Sequence, residues 1–230
     1  MKDMLMGKGV KFRLTISILL FVLFFAQYVI THVKRKIIIK NNIFYGVEDG
    51  LFESKSSLKE LTVPAGVKLI SIYAFSGCEN IEVVELPDTL ESIGELSFMG
   101  CRKLKQIKIP KNVKDIGMGA FYECSSLKNL ELPEGLEKIN AATFKDCIAL
   151  EKINIPPGVN EIDESAFSNC KELKEIELND GLKNIGSEAF LDCENLQSIE
   201  IPDSVERINS YAFKGCKKLS EIDMSKGIKY

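Results

Sequence analysis

Histidine is nearly missing from this chain. Its single copy, His32, borders a long apolar run and reads as an interfacial residue rather than a general base. No C-x-x-C pair occurs and no cysteine lies near a histidine, which excludes a closed zinc site needing four ligands at one point. A phosphate-cradling glycine loop is also lacking, since Gly117-Met118-Gly119 is simply the expected helix-cap region of one repeating unit. The carboxylates fall on repeating columns, with no sign of two acids tuned apart for catalysis. The expectation is a protein that is not an enzyme and holds no cofactor and no metal. Positive charge is scarce where nucleic acid would need it. Residues 1–40 carry 8 basic and 1 acidic side chains, and the remainder carries 22 basic and 32 acidic. An acidic body excludes nucleic acid as the partner.

What the chain has instead is a period. Cys78, Cys101, Cys124, Cys147, Cys170, Cys193 and Cys216 stand 23 residues apart. A Phe precedes each by three, from Phe75 to Phe213, and Ile81 or a Leu such as Leu104 follows by three. Six and eight residues after each Cys come further apolar positions, such as Ile107 and Ile109, alternating with polar ones as in a half-buried strand. Pro64, Pro87, Pro110, Pro133, Pro156 and Pro202 close most strands, with Asn179 as the exception. A second apolar pair follows, such as Val113 and Ile116. Next comes Ser71, Gly94, Gly117, Asn140, Asp163, Gly186 or Asn209, the preference set of a helix N-cap, so a single helical turn is expected there. The residue before each Cys (Gly77, Gly100, Glu123, Asp146, Asn169, Asp192, Gly215) is mostly of a type tolerated at a left-handed position. One such unit cannot bury its own apolar face, so neighbours must stack. A degenerate unit from about Phe44, with Lys55 in place of the Cys, reads as an N-terminal cap.

These L-x-x-I-x-I-P and I-x-x-x-A-F-x-x-C blocks resemble the BspA-like branch of the leucine-rich repeats over roughly residues 44–230. The resemblance implies an α/β fold: a right-handed solenoid with a parallel sheet on one face and short helical turns. It also implies a surface or secreted binding protein, in some members an adhesin for host or matrix proteins, and brings no catalytic residues. The cysteines are neither paired nor clustered. Stacked strands would hold their Cβ atoms about 4.8 Å apart, too far for an unstrained bridge. They read as buried reduced thiols acting as small hydrophobes.

Ahead of the solenoid, residues 1–13 form a basic tail, 14–33 an apolar segment long enough to span a bilayer as a helix, and 34–43 a linker. Lys2, Lys8, Lys11 and Arg13 lie before the segment, and Lys34, Arg35, Lys36 and Lys40 after it. An uncleaved membrane anchor is favoured over a secretory signal because Phe24-Phe25-Ala26 lacks the small-x-small pattern. The rivals are secretion after cleavage and a buried helix of a soluble protein. Both flanks are basic, so charge does not set the orientation. The short amino end favours an extracellular solenoid.

On the strand, the residues five and seven after each Cys face outward together. These columns hold Glu85, Lys108, Glu131, Lys152, Glu175, Glu177, Glu200, Glu221 and Asp223, the candidate ligand-binding face. Glu177, Glu200 and Asp223 follow one another on successive units, an arrangement that repels itself. The plain alternative is a solvated polar face. The functional readings are a docking surface for a basic protein segment or a weak cation site. A structural reading competes with the binding reading: end-to-end self-association into an envelope scaffold, or an interaction scaffold inside the cell.

Overall fold

The computed structural model describes residues 37–40, 43–47 and 49–224. The chain divides into two units, Met1–Lys36 and Ile37–Tyr230. The tail, the apolar segment at 14–33 and the first linker residues therefore lie outside the described residues, as does 225–230. Within the second unit, strands β1 (Ile37–Lys40) and β2 (Ile43–Val47) form an antiparallel hairpin in the stretch read as linker and cap. β2 then joins the repeats in parallel, Val47 opposite Ile70.

From there the apolar period of 23 becomes a right-handed solenoid with two parallel ladders, where the sequence suggested a sheet on one face. The first ladder contains β3 (Glu60–Thr62), β5 (Val83–Glu85), β9 (Lys152–Asn154), β11 (Glu175–Glu177), β13 (Ser198–Ile201) and β15 (Glu221–Met224). Its three-residue strands alternate exposed, buried, exposed, which puts Leu61, Val84, Ile153, Ile176 and Ile199 inside. The second is built from two-residue strands: β4 (Leu69–Ile70), β6 (Ser92–Ile93), β7 (Asp115–Ile116), β8 (Lys138–Ile139), β10 (Glu161–Ile162), β12 (Asn184–Ile185) and β14 (Arg207–Ile208). Partners in both ladders are 23 residues apart, as Glu175 opposite Lys152 and Glu161 opposite Lys138.

Proline ends the first strand because it has no N–H to give the ladder. Its carbonyl then accepts the N–H three residues on, as Val113 N to Pro110 O at 3.0 Å. Asn179 keeps the same turn with Leu182 N at 3.1 Å. Its side-chain amide donates to Pro156 O and Val159 O, and its Oδ1 accepts Gly181 N.

The expected helical turn around Ala-Phe does not form, and no helix occurs among the described residues. Alternate N–H groups leave the coil instead. Tyr73, Phe75 and Gly77 donate to Glu95, Ser97 and Met99 of the next unit, while Ala74, Ser76 and Cys78 donate three residues back. Inter-coil bonds thus take the donors a helix would have kept. The path needs a left-handed residue just before each Cys, as anticipated, from Gly77 (φ 68°) to Gly215 (φ 77°). It needs a second one five residues before each Cys, at Tyr73, Leu96, Gly119, Ala142, Ser165, Glu188 and Tyr211. Non-glycine residues there are strained.

The column expected to cap a helix therefore caps none. At Gly117 a Cβ would come within 2.5 Å of Glu95 N, so glycine permits the close approach of coils. At the same position Asn140 and Asn209 donate side-chain amides to Ile116 O and Ile185 O of the preceding unit.

Inside, the Phe column forms one stack from Phe52 to Phe213, with centroids 5.1–5.7 Å apart and planes within 19°. Such offset ring pairs add to simple area burial. All seven cysteines are free, and all but Cys216 are buried. They are more than hydrophobes, because each Sγ donates to the carbonyl of the Phe one unit back, as Cys147 to Phe121 O at 3.2 Å and Cys193 to Phe167 O at 3.2 Å. Burial pushes the thiol pKa values up, to about 11 even for the half-buried Cys216.

Candidate functional site

The outward columns of the first ladder come to one face. Glu85, Lys108, Glu131, Lys152, Glu175, Glu177 and Glu200 are all exposed there. Glu221 and Asp223 sit on β15 in register with Ser198 and Glu200, and their side chains lie outside the described residues. Register decides which charges meet. Lys152 stands opposite Glu175, and its Nζ reaches both Glu175 Oε2 at 3.3 Å and Glu177 Oε1 at 3.1 Å. Hydrogen bonds to Glu177 and then Glu175 raise the Lys152 pKa. The self-repelling run of carboxylates is thus relieved at Glu177, and Glu200 makes no ion pair with a described residue. Toward the amino end, Thr62 Oγ1 donates to Glu85 Oε2 at 3.1 Å.

This ladder is also discontinuous. β3 pairs with β5, β9 with β11, and β13 with β15, while single bridges link Gln106, Asn129 and Lys152. Grooves open along the interruptions. One of about 400 Å³ lies where β5 meets Gln106 and Lys108, and one of about 480 Å³ runs from Asn129 and Glu131 to Lys152 and Pro157. A third, of about 550 Å³, lies between β11 and β13, lined by Glu177, Asp180, Glu200 and Asp203 together with Leu178 and the buried Ile176 and Ile201. Asp180 and Asp203 were not among the residues singled out from sequence. They belong to the turn that follows each strand, three residues after Glu177 and Glu200.

No cluster of three metal-ligating side chains occurs among the described residues. The thiols are held protonated by burial rather than activated, with Cys124, Cys147 and Cys170 shifted well above the ordinary 9.0. Among the described residues no helix is long and apolar enough to cross a membrane.

Comparison with known proteins follows the same lines. The BspA type leucine rich repeat region, in six copies, matches residues 45–171 and 137–230. The chain belongs to that family. Among solved structures it is similar to the leucine rich repeat protein TpLRR of T. pallidum, with 29% identity and a TM-score of 0.64, covering 70% of this chain and 75% of that one. It is also similar to a leucine-rich repeat protein from Eubacterium ventriosum ATCC 27560, with 26% identity and a TM-score of 0.61, covering 82% of this chain. The match spans only 50% of that longer protein. A third, from Bacteroides ovatus ATCC 8483, shares the fold at 22% identity and a TM-score of 0.55, over 85% of this chain and 69% of its own length. No curated protein matched.

Proposed function

We propose that the chain is a membrane-anchored recognition solenoid, displayed outside the cell, that binds a protein ligand through its first ladder. The observation that carries the binding reading is the groove between β11 and β13. Four carboxylates, Glu177, Asp180, Glu200 and Asp203, line it around the half-buried Leu178. A groove lined by charge of one sign fits an extended basic segment, whose charges meet the carboxylates. Anchoring rests on the 20-residue apolar run at 14–33.

Binding is tested with fluorescent Lys/Arg-rich peptides and charge-neutral counterparts on the full chain in detergent micelles. The basic peptides should bind more tightly, weaken with salt, and lose affinity in the Glu200→Gln/Asp203→Asn variant. Equal binding of neutral peptides would sink the acidic-groove reading. Display is tested by protease treatment of intact cells. Release of the repeats with 14–33 retained in the membrane supports it, and protection until lysis rejects it.

A further inference from the structure

The turn segment of the first three units differs from that of the rest. Ile72, Tyr73 and Met118 are exposed at 41%, 39% and 45%. Leu96, half-buried, lies between them over Gly119, whose Cβ position would be 2.5 Å from Leu96 Cδ2. The three coils are tied directly together here, Tyr73 N to Glu95 O at 3.0 Å and Leu96 N to Met118 O at 2.9 Å, so Tyr73 neighbours Leu96 and Leu96 neighbours Met118, while the half-buried Glu95 stands between Ile72 and Met118 in the other column. In later units the same two columns read Ala141-Ala142, Glu164-Ser165 and Ser187-Glu188. Apolar surface on these columns therefore gathers in the first three units, is interrupted through the middle of the solenoid, and returns at Tyr211, 62% exposed, in the last unit. An exposed apolar patch marks a contact.

The chain's own layout says what meets it. Ile37 pairs with Val47, which pairs with Ile70, two residues before Ile72. Two strand spacings thus separate Ile37 from the entry to the patch, about 10 Å. From Ile37 back to Val33, the end of the apolar run, are four Cα steps, at most about 14 Å of chain. The intervening Lys34, Arg35 and Lys36 suit anionic headgroups.

We propose that the turn face at Ile72, Tyr73, Leu96 and Met118 rests in the headgroup layer of the bilayer. The proposal rests on the reading of 14–33 as a membrane anchor. A tether this short brings the amino end of the solenoid to the lipid surface, where Tyr is favoured and aliphatic side chains bury shallowly. The solenoid would then stand on its first three units, leaving the grooves of the first ladder clear of the membrane.

The chain contains no tryptophan, so single-Trp variants report one site each. Tyr73→Trp, Met118→Trp and, at the far end of the same face, Tyr211→Trp are made in the full chain. Each is reconstituted into vesicles of equal parts phosphatidylcholine and phosphatidylglycerol. Native folding is checked by protection of the buried thiols from a thiol reagent. The expected result is a blue shift at positions 73 and 118, with loss of emission when brominated lipid is included, and neither change at 211. Emission at 73 and 118 as red-shifted and unquenched as at 211, in protein that floats with the vesicles, overturns the inference while leaving the anchor standing. Protein that fails to float removes the anchor and the inference together. A blue shift that ignores brominated lipid but grows with protein density assigns the patch to a second copy and rejects the lipid contact.

Discussion

The turn segment around Ala-Phe and the first strand ladder are made from the same repeat, yet they are held in different ways. In the turn segment each unit passes three N–H groups to the next without interruption, from Gly50 N to Ile72 O through Asp192 N to Lys214 O. Beneath it run the Phe stack and the thiol-to-carbonyl bonds. In the strand ladder, pairing is interrupted after β5 and between β11 and β13, and the grooves open beside those interruptions. Stability thus concentrates where backbone and side chain repeat strictly, and the proposed binding face falls where the outward residue can change from unit to unit. A solenoid can separate these tasks because each coil contacts its neighbours on several sides.

Alkali should give the largest effect. Six thiols are buried with pKa values raised by desolvation from the ordinary 9.0, and unfolding returns them towards it. Because the folded values are the higher ones, this stabilisation is fully present below pH 9 and is lost as the pH climbs towards the folded values. Each thiol removes up to about 1.4 kcal/mol per pH unit in that range. Urea midpoints measured from pH 7 to 10.5 should be flat at first and then fall steeply. A flat profile to the end would show that the thiols do not lie in the apolar interior.

Phe144→Ala comes next. It removes a ring 5.7 Å from Phe121 and 5.4 Å from Phe167 in the middle of the stack, and should cost about 3–5 kcal/mol by urea denaturation. A loss below about 1 kcal/mol would mean that neighbouring rings close the gap, and the turn segment would lose its claim to be the stable side.

The smallest effect is expected on the strand ladder. Lys152→Gln removes an exposed ion pair with Glu175 and Glu177. Exposed pairs contribute little, so the urea midpoint should stay within experimental error. The variant should instead strengthen the binding of basic peptides, because two carboxylates are unmasked. A clear fall in stability would show that charge register helps hold the interrupted ladder.

Much of this was legible in sequence. The Phe, Leu and Ile columns declared the core, and Phe75, Leu104 and Ile153 are buried as their spacing required. The left-handed residue before each Cys was legible because Gly, Asn and Asp gather there. The one five residues before each Cys was not, since Tyr73, Leu96, Ala142 and Glu188 carry no such bias. The outward columns were read correctly between Glu85 and Glu200. The reach of Lys152 to two carboxylates was invisible, because a column list omits the diagonal neighbour.

By itself, then, the sequence determined the period, the stacked core, the turn positions and the outward face. Each follows from side-chain polarity recurring in phase with the coil. The tertiary structure alone decided the path of the Ala-Phe segment. In an isolated peptide the only protein acceptors its N–H groups can reach are local carbonyls, which is the condition for a helical turn. Once coils stack, the carbonyls of the next unit compete for every second N–H, and the local helix gives way to a third run of inter-coil bonds.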